Sequence, residues 1–350
     1  MAQRNRSFLI LSTSMLLVVL VCAIAFGAVP ISPGEMISSL GNFFKGREPA
    51  SIHEGVFLQL RLPRVLLCAI TGAILAVSGV LMQGLFRNPI VEPGLTGTSA
   101  GAAFGASFIF VMAPKMSPAL KSMTGPLLVP IFAFAGGLVA TYIVYALAKN
   151  ASRASVMSLL LVGIAVNAIG LSGTGFMTYI ARDPQARSIT FWNLGTFSGA
   201  SWLQVLIVGS VAAVIFLFSF RYSKQLNTLL LGEEEATYLG VDTAKLKSRI
   251  LILNTAMVSV ATAFTGVISF MGLIVPHILR LLIGSDNKRL LPAAIIMGAL
   301  LLVLADMGAR LILAPAEMPI GIITSLVGAP VFIILLKQFN ILHQKGGYHA

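Results

Sequence analysis

The sequence predicts an all-α, polytopic membrane protein, and three observations carry that prediction. Of the 350 residues, 57% are hydrophobic and only 10% charged, with a mean hydropathy of +0.92, whereas soluble globular chains carry about 25% charged residues. Apolar runs of about 20 residues, the length a helix needs to cross a bilayer, recur along the whole chain. Lys and Arg gather at the ends of those runs instead of forming a basic stripe with interleaved aromatics. The net charge of +12 therefore speaks for membrane orientation and against nucleic-acid binding.

The first run, 8–29, follows Arg4 and Arg6. Ala23-Ile24-Ala25 resembles a signal-peptide cleavage site, but the apolar stretch is longer than the roughly 7–15 residues of a signal core, so a retained first span is expected. Further runs follow at 62–86, 94–113, 125–148, 156–180, 201–220, 249–270, 291–313 and 319–337. A short apolar piece, 273–283, comes after a Gly-Leu-Ile-Val-Pro break and completes ten passes. Trp192 and Trp202 near one end of the 201–220 run suit an interfacial aromatic belt. The stretch Pro30–Leu60 reads as a loop with a short surface helix, and Arg221–Ser248 as a second connection. With the N-terminus in the cytoplasm, fifteen of the 24 Lys and Arg residues fall on the cytoplasmic side, which places both termini there. No soluble domain and no internal repeat stands out, so 1–350 reads as one transmembrane domain.

Between lipid-embedded helices, small residues let backbones approach. Gly72, Ala76, Gly79 and Gln83 share a face of the second run; Gly97, Gly101 and Gly105 share one in the third. Gly163, Asn167, Gly170 and Thr174 do so in the fifth, and Gly321, Ser325 and Gly328 in the last. These stripes suit tight packing. The polar members Gln83 and Asn167 also require a hydrogen-bonding partner or water, which a translocation path or a subunit seam supplies.

Enzymatic readings find no support. There is no phosphate-cradling Gly-x-x-x-x-Gly-Lys-Ser/Thr loop, and Gly173-Thr174-Gly175 lies inside an apolar run with no strand before it. His53, His277, His343 and His349 are scattered, so no metal site is expected, and Cys22 and Cys68 make no disulfide framework.

Three polar segments remain. Gly232-Glu233-Glu234-Glu235-Ala236-Thr237-Tyr238-Leu239-Gly240 predicts a short helix. Its glutamates suit the positive end of the helix dipole, Gly240 stops it, and Asp242 can cap the next helix. It reads equally as a connecting helix and as a lever for an external ATPase. Asp306 and Arg310, four residues apart, can pair on one helix face or leave Arg310 to face an acidic partner. Arg61 and Arg64 at the mouth of the second run are either snorkelling anchors or, with Arg310, a cationic dock.

From about Leu60 to Leu336 (61–338 taken as the core) the chain resembles the FecCD-type permeases of ABC importers for ferric siderophores, haem and vitamin B12. The resemblance rests on Arg61-Leu62-Pro63-Arg64, on the segment from Ser78-Gly79 through Gln83-Gly84 to Arg87-Asn88-Pro89, and on Glu92-Pro93-Gly94-Leu95-Thr96-Gly97. Gly266-Val267-Ile268-Ser269-Phe270-Met271-Gly272-Leu273-Ile274-Val275-Pro276-His277, Ala305-Asp306 and Glu317-Met318-Pro319-Ile320-Gly321 extend it. It implies a type II ABC importer permease of ten spans in the bacterial cytoplasmic (inner) membrane. The permease would work as a dimer, with a second copy as the expected partner. Two cytoplasmic ATPase subunits bind the ATP, and a periplasmic or lipid-anchored solute-binding protein delivers the solute. This chain itself would hold no cofactor and do no chemistry.

The resemblance also assigns roles. Gly232–Gly240 becomes the ATPase-coupling region; Arg61, Arg64 and Arg310 become docking residues for glutamates of the binding protein; Ser155, Val156, Met157 and Ser158 match the cytoplasmic gate. Gln83, Gly163, Asn167, Gly170, Gly321 and Ser325 are candidates for the path or seam. Val156 and Met157 are more apolar than the gate of the vitamin B12 branch. Together with Arg187–Gly195 and Gly199-Ala200-Ser201-Trp202, they favour an iron chelate, siderophore-bound or haem, over cobalamin. A stand-alone carrier is the expectation from another class, for which Asp306 is the single acid seen at membrane depth.

Overall fold

The computed structural model describes residues 2–27, 31–45, 51–117, 125–150, 156–314 and 316–346. In chain order the helices are α1 (Ala2–Ala25), α2 (Pro33–Phe44), α3 (Ile52–Phe86), α4 (Thr98–Met112), α5 (Leu128–Asn150), α6 (Val156–Ile180) and α7 (Gln185–Asn193). They continue as α8 (Trp202–Leu229), α9 (Glu233–Tyr238), α10 (Thr243–Thr265), α11 (Met271–Ile283), α12 (Asn287–Ile312) and α13 (Ile320–Gly346). No strand occurs among the described residues.

The fold is built around α3. Pro63 lacks an N–H and its ring crowds the carbonyl one turn back, so the helix widens instead of breaking. Residues Val56–Arg61 form a π-helical turn, and the Leu62 N–H bonds the Phe57 carbonyl five residues back. The apolar window of α3 is 83% buried, against 17% for α6, which makes α3 the central rod. It packs against α8, α10, α11 and α12, with α1 docked on α12. The helices α4, α5 and α6 form a second group, joined to the first mainly through α5 and α10. The backbones of α3 and α12 meet at Gly72 and Gly298, where a Cβ on either would overlap the carbonyl of the other. Gly101 and Gly136 do the same for α4 and α5.

Among the described residues seven helices are long and apolar enough to cross a membrane; α4, α11 and Ile320–Ile334 of α13 are the short members of the ten expected runs. Several boundaries differ from expectation. The third run begins at Thr98, because Pro93–Thr96 forms a 3₁₀ turn and Gly97 takes a left-handed φ of 85°. The stretch Pro30–Leu60 holds α2 and the first turns of α3. The connection 221–248 shrinks to 230–242: nothing in α8 breaks the helix before Leu229, and Arg221 and Lys224 lie on its final turns. Arg47, Lys121, Arg153 and Ser155 lie outside the described residues.

The segment 88–97 folds back into the protein. Pro93 lies against Gly272, which itself packs on Gly79, about 10 Å in from the end of α3 at 1.5 Å per residue. There it meets the break between α10 and α11. The Glu92 carboxylate accepts the Phe270 N–H at 3.1 Å, which satisfies the start of α11 from outside that helix. Asn254, fully buried in α10, bonds Ser78 and donates to the Pro93 carbonyl at 3.3 Å. Asn167 of α6 reaches the Gly94 and Leu95 carbonyls from the other side, at 3.3 Å each. Irregular backbone is stable at membrane depth only when partnered like this. Glu92 thus corrects the expectation that Asp306 is the single acid at depth: it comes there on a folded-back loop, not on a spanning run.

Candidate functional site

The two ends of the helix bundle carry different chemistry. At one end, the start of α3 and the end of α12 bring Arg61, Arg64 and Arg310 together. They line a recess of about 500 Å³ with Gly27, Phe197, Ser198 and Glu317. Arg64 is the hub. Its Nε and Nη2 donate to Asp306 at 2.9–3.3 Å, and its Nη1 donates to Glu317 at 2.7 Å. Asp306 is 2% exposed and also pairs with Nε of Arg310 at 3.1 Å, the i,i+4 pair that the sequence allows. The other two arginines finish α1: Arg61 donates to the Ile24 and Ala25 carbonyls at 2.8 and 2.9 Å, and Arg310 to Ala23 at 2.9 Å. Those carbonyls end a helix, where they lack partners of their own and attract cations.

The arginines are therefore organised within the chain, and Arg61 is buried. Three guanidinium groups face two carboxylates, Asp306 and Glu317, which leaves the recess formally cationic. Glu317 is the exposed one of the two, at 43% of its side chain. Sequence spacing does not single Glu317 out, because its partner Arg64 lies 253 positions away.

At the opposite end lies α9. Gly232, at φ 146°, turns the chain out of α8, and Gly240, at φ 83°, turns it into α10. Asp242 caps α10 by accepting the Lys245 N–H at 3.0 Å; the hydrogen bonds from Lys245 hold its carboxyl below the usual value. Ala236 is buried as the pin of α9, whereas Leu231, Tyr238 and Leu239 are exposed together, Tyr238 by 88%. Glu234 and Glu235 face solvent, and Glu233 pairs with Lys247 of α10 at 2.6 Å. A second anchor lies just before the loop. Asn227 of α8 donates to Asp286 at 2.7 Å and accepts from the backbone and side chain of Asn287 at 2.8 Å. Neither anchor follows from sequence spacing, since each joins separate helices. A cavity of about 930 Å³ opens between α9, the end of α5, the start of α6 and the start of α10.

Of the expected gate, Val156 opens α6, Met157 is 63% exposed and Ser158 lies in the first turn. The expected path residues are seated as follows. Gln83 is buried, donates to the Leu273 carbonyl at 3.1 Å and accepts from Arg280 at 3.4 Å. Gly163 lies on the Leu95 carbonyl, Gly170 on Ala100, and Gly321 on Leu194, with its N–H bonded there at 2.8 Å. Ser325 is half-buried in α13. Gly163, Asn167 and Gly170 thus face the folded-back loop and α4, and α6 turns Met157, Leu161, Ile164 and Leu171 outward.

Among the described residues no cluster of His, Cys, Asp or Glu has the arrangement to hold a metal ion.

Comparison with known proteins agrees with this architecture. The profile of the FecCD transport family matches residues 15–338. The hemin transport system permease protein HmuU of Yersinia pestis is 43% identical over 287 residues, 81% of this chain and 84% of that protein. The vitamin B12 import system permease protein BtuC of Vibrio parahaemolyticus is 35% identical over 336 residues, 96% of this chain and 94% of that protein. A solved chain of an inward-facing ABC transporter, described as metal-chelate type, superposes with a TM-score of 0.82. It is 29% identical, and the match covers 95% of this chain and 99% of that one. These relatives are transport proteins and not enzymes, and the chain belongs to the FecCD transport family.

Proposed function

We propose that this ABC importer permease carries an iron chelate, a ferric siderophore or haem, across the bacterial inner membrane. The observation that carries the choice of solute is the 43% identity to the hemin permease, above the 34–38% of the cobalamin permeases. Cobalamin is the second reading, favoured by the fuller alignment: the cobalamin permease relative covers 96% of the chain against 81%.

In this reading the arginine end faces outward and the α9 end faces the cytoplasm, where both termini lie. A solute-binding protein docks over Arg61, Arg64 and Arg310. A glutamate of that protein exchanges with Glu317 for Arg64, at small cost because an exposed ion pair is worth only about 0–1 kcal/mol. Two partner ATPases press on α9, whose exposed Leu231, Tyr238 and Leu239 offer an apolar contact. The push passes through Glu233–Lys247 to α10 and through Asn227 to the α11–α12 turn. Two copies of the chain meet along α6 and α13, and the gate at 155–158 opens between them. Gln83, Gly163, Asn167, Gly170, Gly321 and Ser325 then shape that seam from behind.

The test is uptake by proteoliposomes containing the permease, its ATPases and its binding protein, challenged in parallel with haem, a ferric siderophore and cobalamin. Iron-chelate uptake that requires ATP is expected. Cobalamin as the single accepted solute overturns the choice of solute; uptake without the ATPases overturns the importer reading in favour of a carrier.

A further inference from the structure

The seam between α5 and α10 is the feature that transport leaves unused. At membrane depth it forms an apolar groove of about 320 Å³, lined by Leu138, Tyr142 and Tyr145 of α5 and by Leu251, Ile252 and Ala256 of α10. Its wall is open to the surroundings: Tyr142 is 71% exposed and Ile252 64%. The groove adjoins the 930 Å³ cavity behind α9, since Tyr145 and Leu251 line both. From Leu138 to Lys149 the groove follows eleven residues of helix, about 16 Å at 1.5 Å per residue, close to half of a hydrocarbon core about 30 Å thick.

Charge is placed where that depth ends. Lys149 and Glu234 line the polar cavity, both exposed, and neither has an ion-pair partner among the described residues. The other two charges there, Lys247 and Glu233, neutralise each other at 2.6 Å. One open cation and one open anion match a zwitterion better than a net anion.

We infer that this groove binds one phospholipid of the leaflet on the α9 side. Its acyl chain lies between α5 and α10, its phosphate on Lys149, and its ammonium group toward Glu234. Basic positions between helices at the membrane surface hold phosphate headgroups in this manner. The lipid wedges behind α9, so it braces the helix against α5 without touching the path of the solute.

The test uses the purified full-length chain alone, so it is independent of the transport reading. The chain is exchanged into mild detergent with equal amounts of palmitoyl-oleoyl phosphatidylethanolamine and phosphatidylglycerol, and the lipids retained after washing are counted by native mass spectrometry. One phosphatidylethanolamine per chain is expected. Lys149→Glu lowers its retention at least about fivefold, and the double change Lys149→Glu, Glu234→Lys restores it. Ala256→Trp, which fills the groove, abolishes it. Equal retention by wild type and Lys149→Glu overturns the site. Preference for phosphatidylglycerol overturns the zwitterion, and loss of all lipid on washing assigns the groove to a protein partner instead.

Discussion

Arg64 and Asp306, 242 positions apart, form a fork of three N–H···O contacts across the α3–α12 seam, with Arg310 closing the other side of the carboxylate. Removing the charge of Asp306 leaves two nearly buried guanidinium groups without their shared counter-ion. Asp306→Asn is expected to destabilise the chain by about 3–5 kcal/mol, as breaking a buried pair does. Glu317→Gln, at the exposed side of Arg64, costs about 0–1 kcal/mol. Thermal unfolding of the two variants in detergent separates them; equal effects contradict the buried hub.

Arg61 and Arg310 hold the last carbonyls of α1. Replacing both with Gln is expected to loosen the end of α1 and speed proteolytic cutting between α1 and α2 several-fold. The core α3–α12 contact persists. An unchanged cleavage rate shows that the guanidinium groups are dispensable for seating α1.

The Glu233–Lys247 pair is partly exposed, so its loss changes stability by only about 0–1 kcal/mol. Under the proposed function its effect belongs to coupling. Lys247→Ala should leave the melting temperature near wild type and lower solute moved per ATP hydrolysed in the reconstituted importer. The swap Glu233→Lys, Lys247→Glu should recover most of it. Normal coupling in Lys247→Ala removes this pair from the route.

The Asp242 cap has a defined pH window. Its folded-state value lies below the ordinary one, so its contribution is complete at neutral pH and fades as the pH falls below about 3.9 and through the folded value. Hydrogen exchange at the first turn of α10 should accelerate over that range in the wild type. In Asp242→Asn, which caps without a charge, the same step should vanish.

Gly72 and Gly298 predict a steric limit. Gly72→Leu has no room against the Gly298 carbonyl and should abolish the assembled fold, whereas Gly175→Leu, with open space around it, should leave expression and melting unchanged.

The local features were legible because they obey short-range rules. The apolar runs marked the spans, i,i+4 spacing paired Asp306 with Arg310, and Asp242 and Gly240 bounded the turn into α10. The remainder joins distant positions. Arg64 finds Asp306, Glu92 finds Phe270 and Asn227 finds Asn287 only once helices have packed, and no periodicity encodes those meetings. The end of α8 and the start of α10 differ from the expected runs for a related reason: charged residues such as Arg221 and Lys247 look like loop by composition, yet nothing in the backbone stops a helix from continuing through them. The arginines look like free docking groups in sequence, and packing gives each of them internal duties.

The folded-back segment 88–97 constrains the order in which the chain matures. Its Glu92 carboxylate takes its partner from Phe270, 178 positions later, and its Pro93 carbonyl from Asn254, 161 positions later. Until those residues emerge from the ribosome, Asn167 of α6 is the one side-chain partner described for the loop that is already made, too few to hold it in the hydrocarbon, and it must wait near the water boundary. The first half of the polypeptide is thus held unfinished by the second, and a fragment ending before α10 should insert its spans yet fail to lock that loop in place.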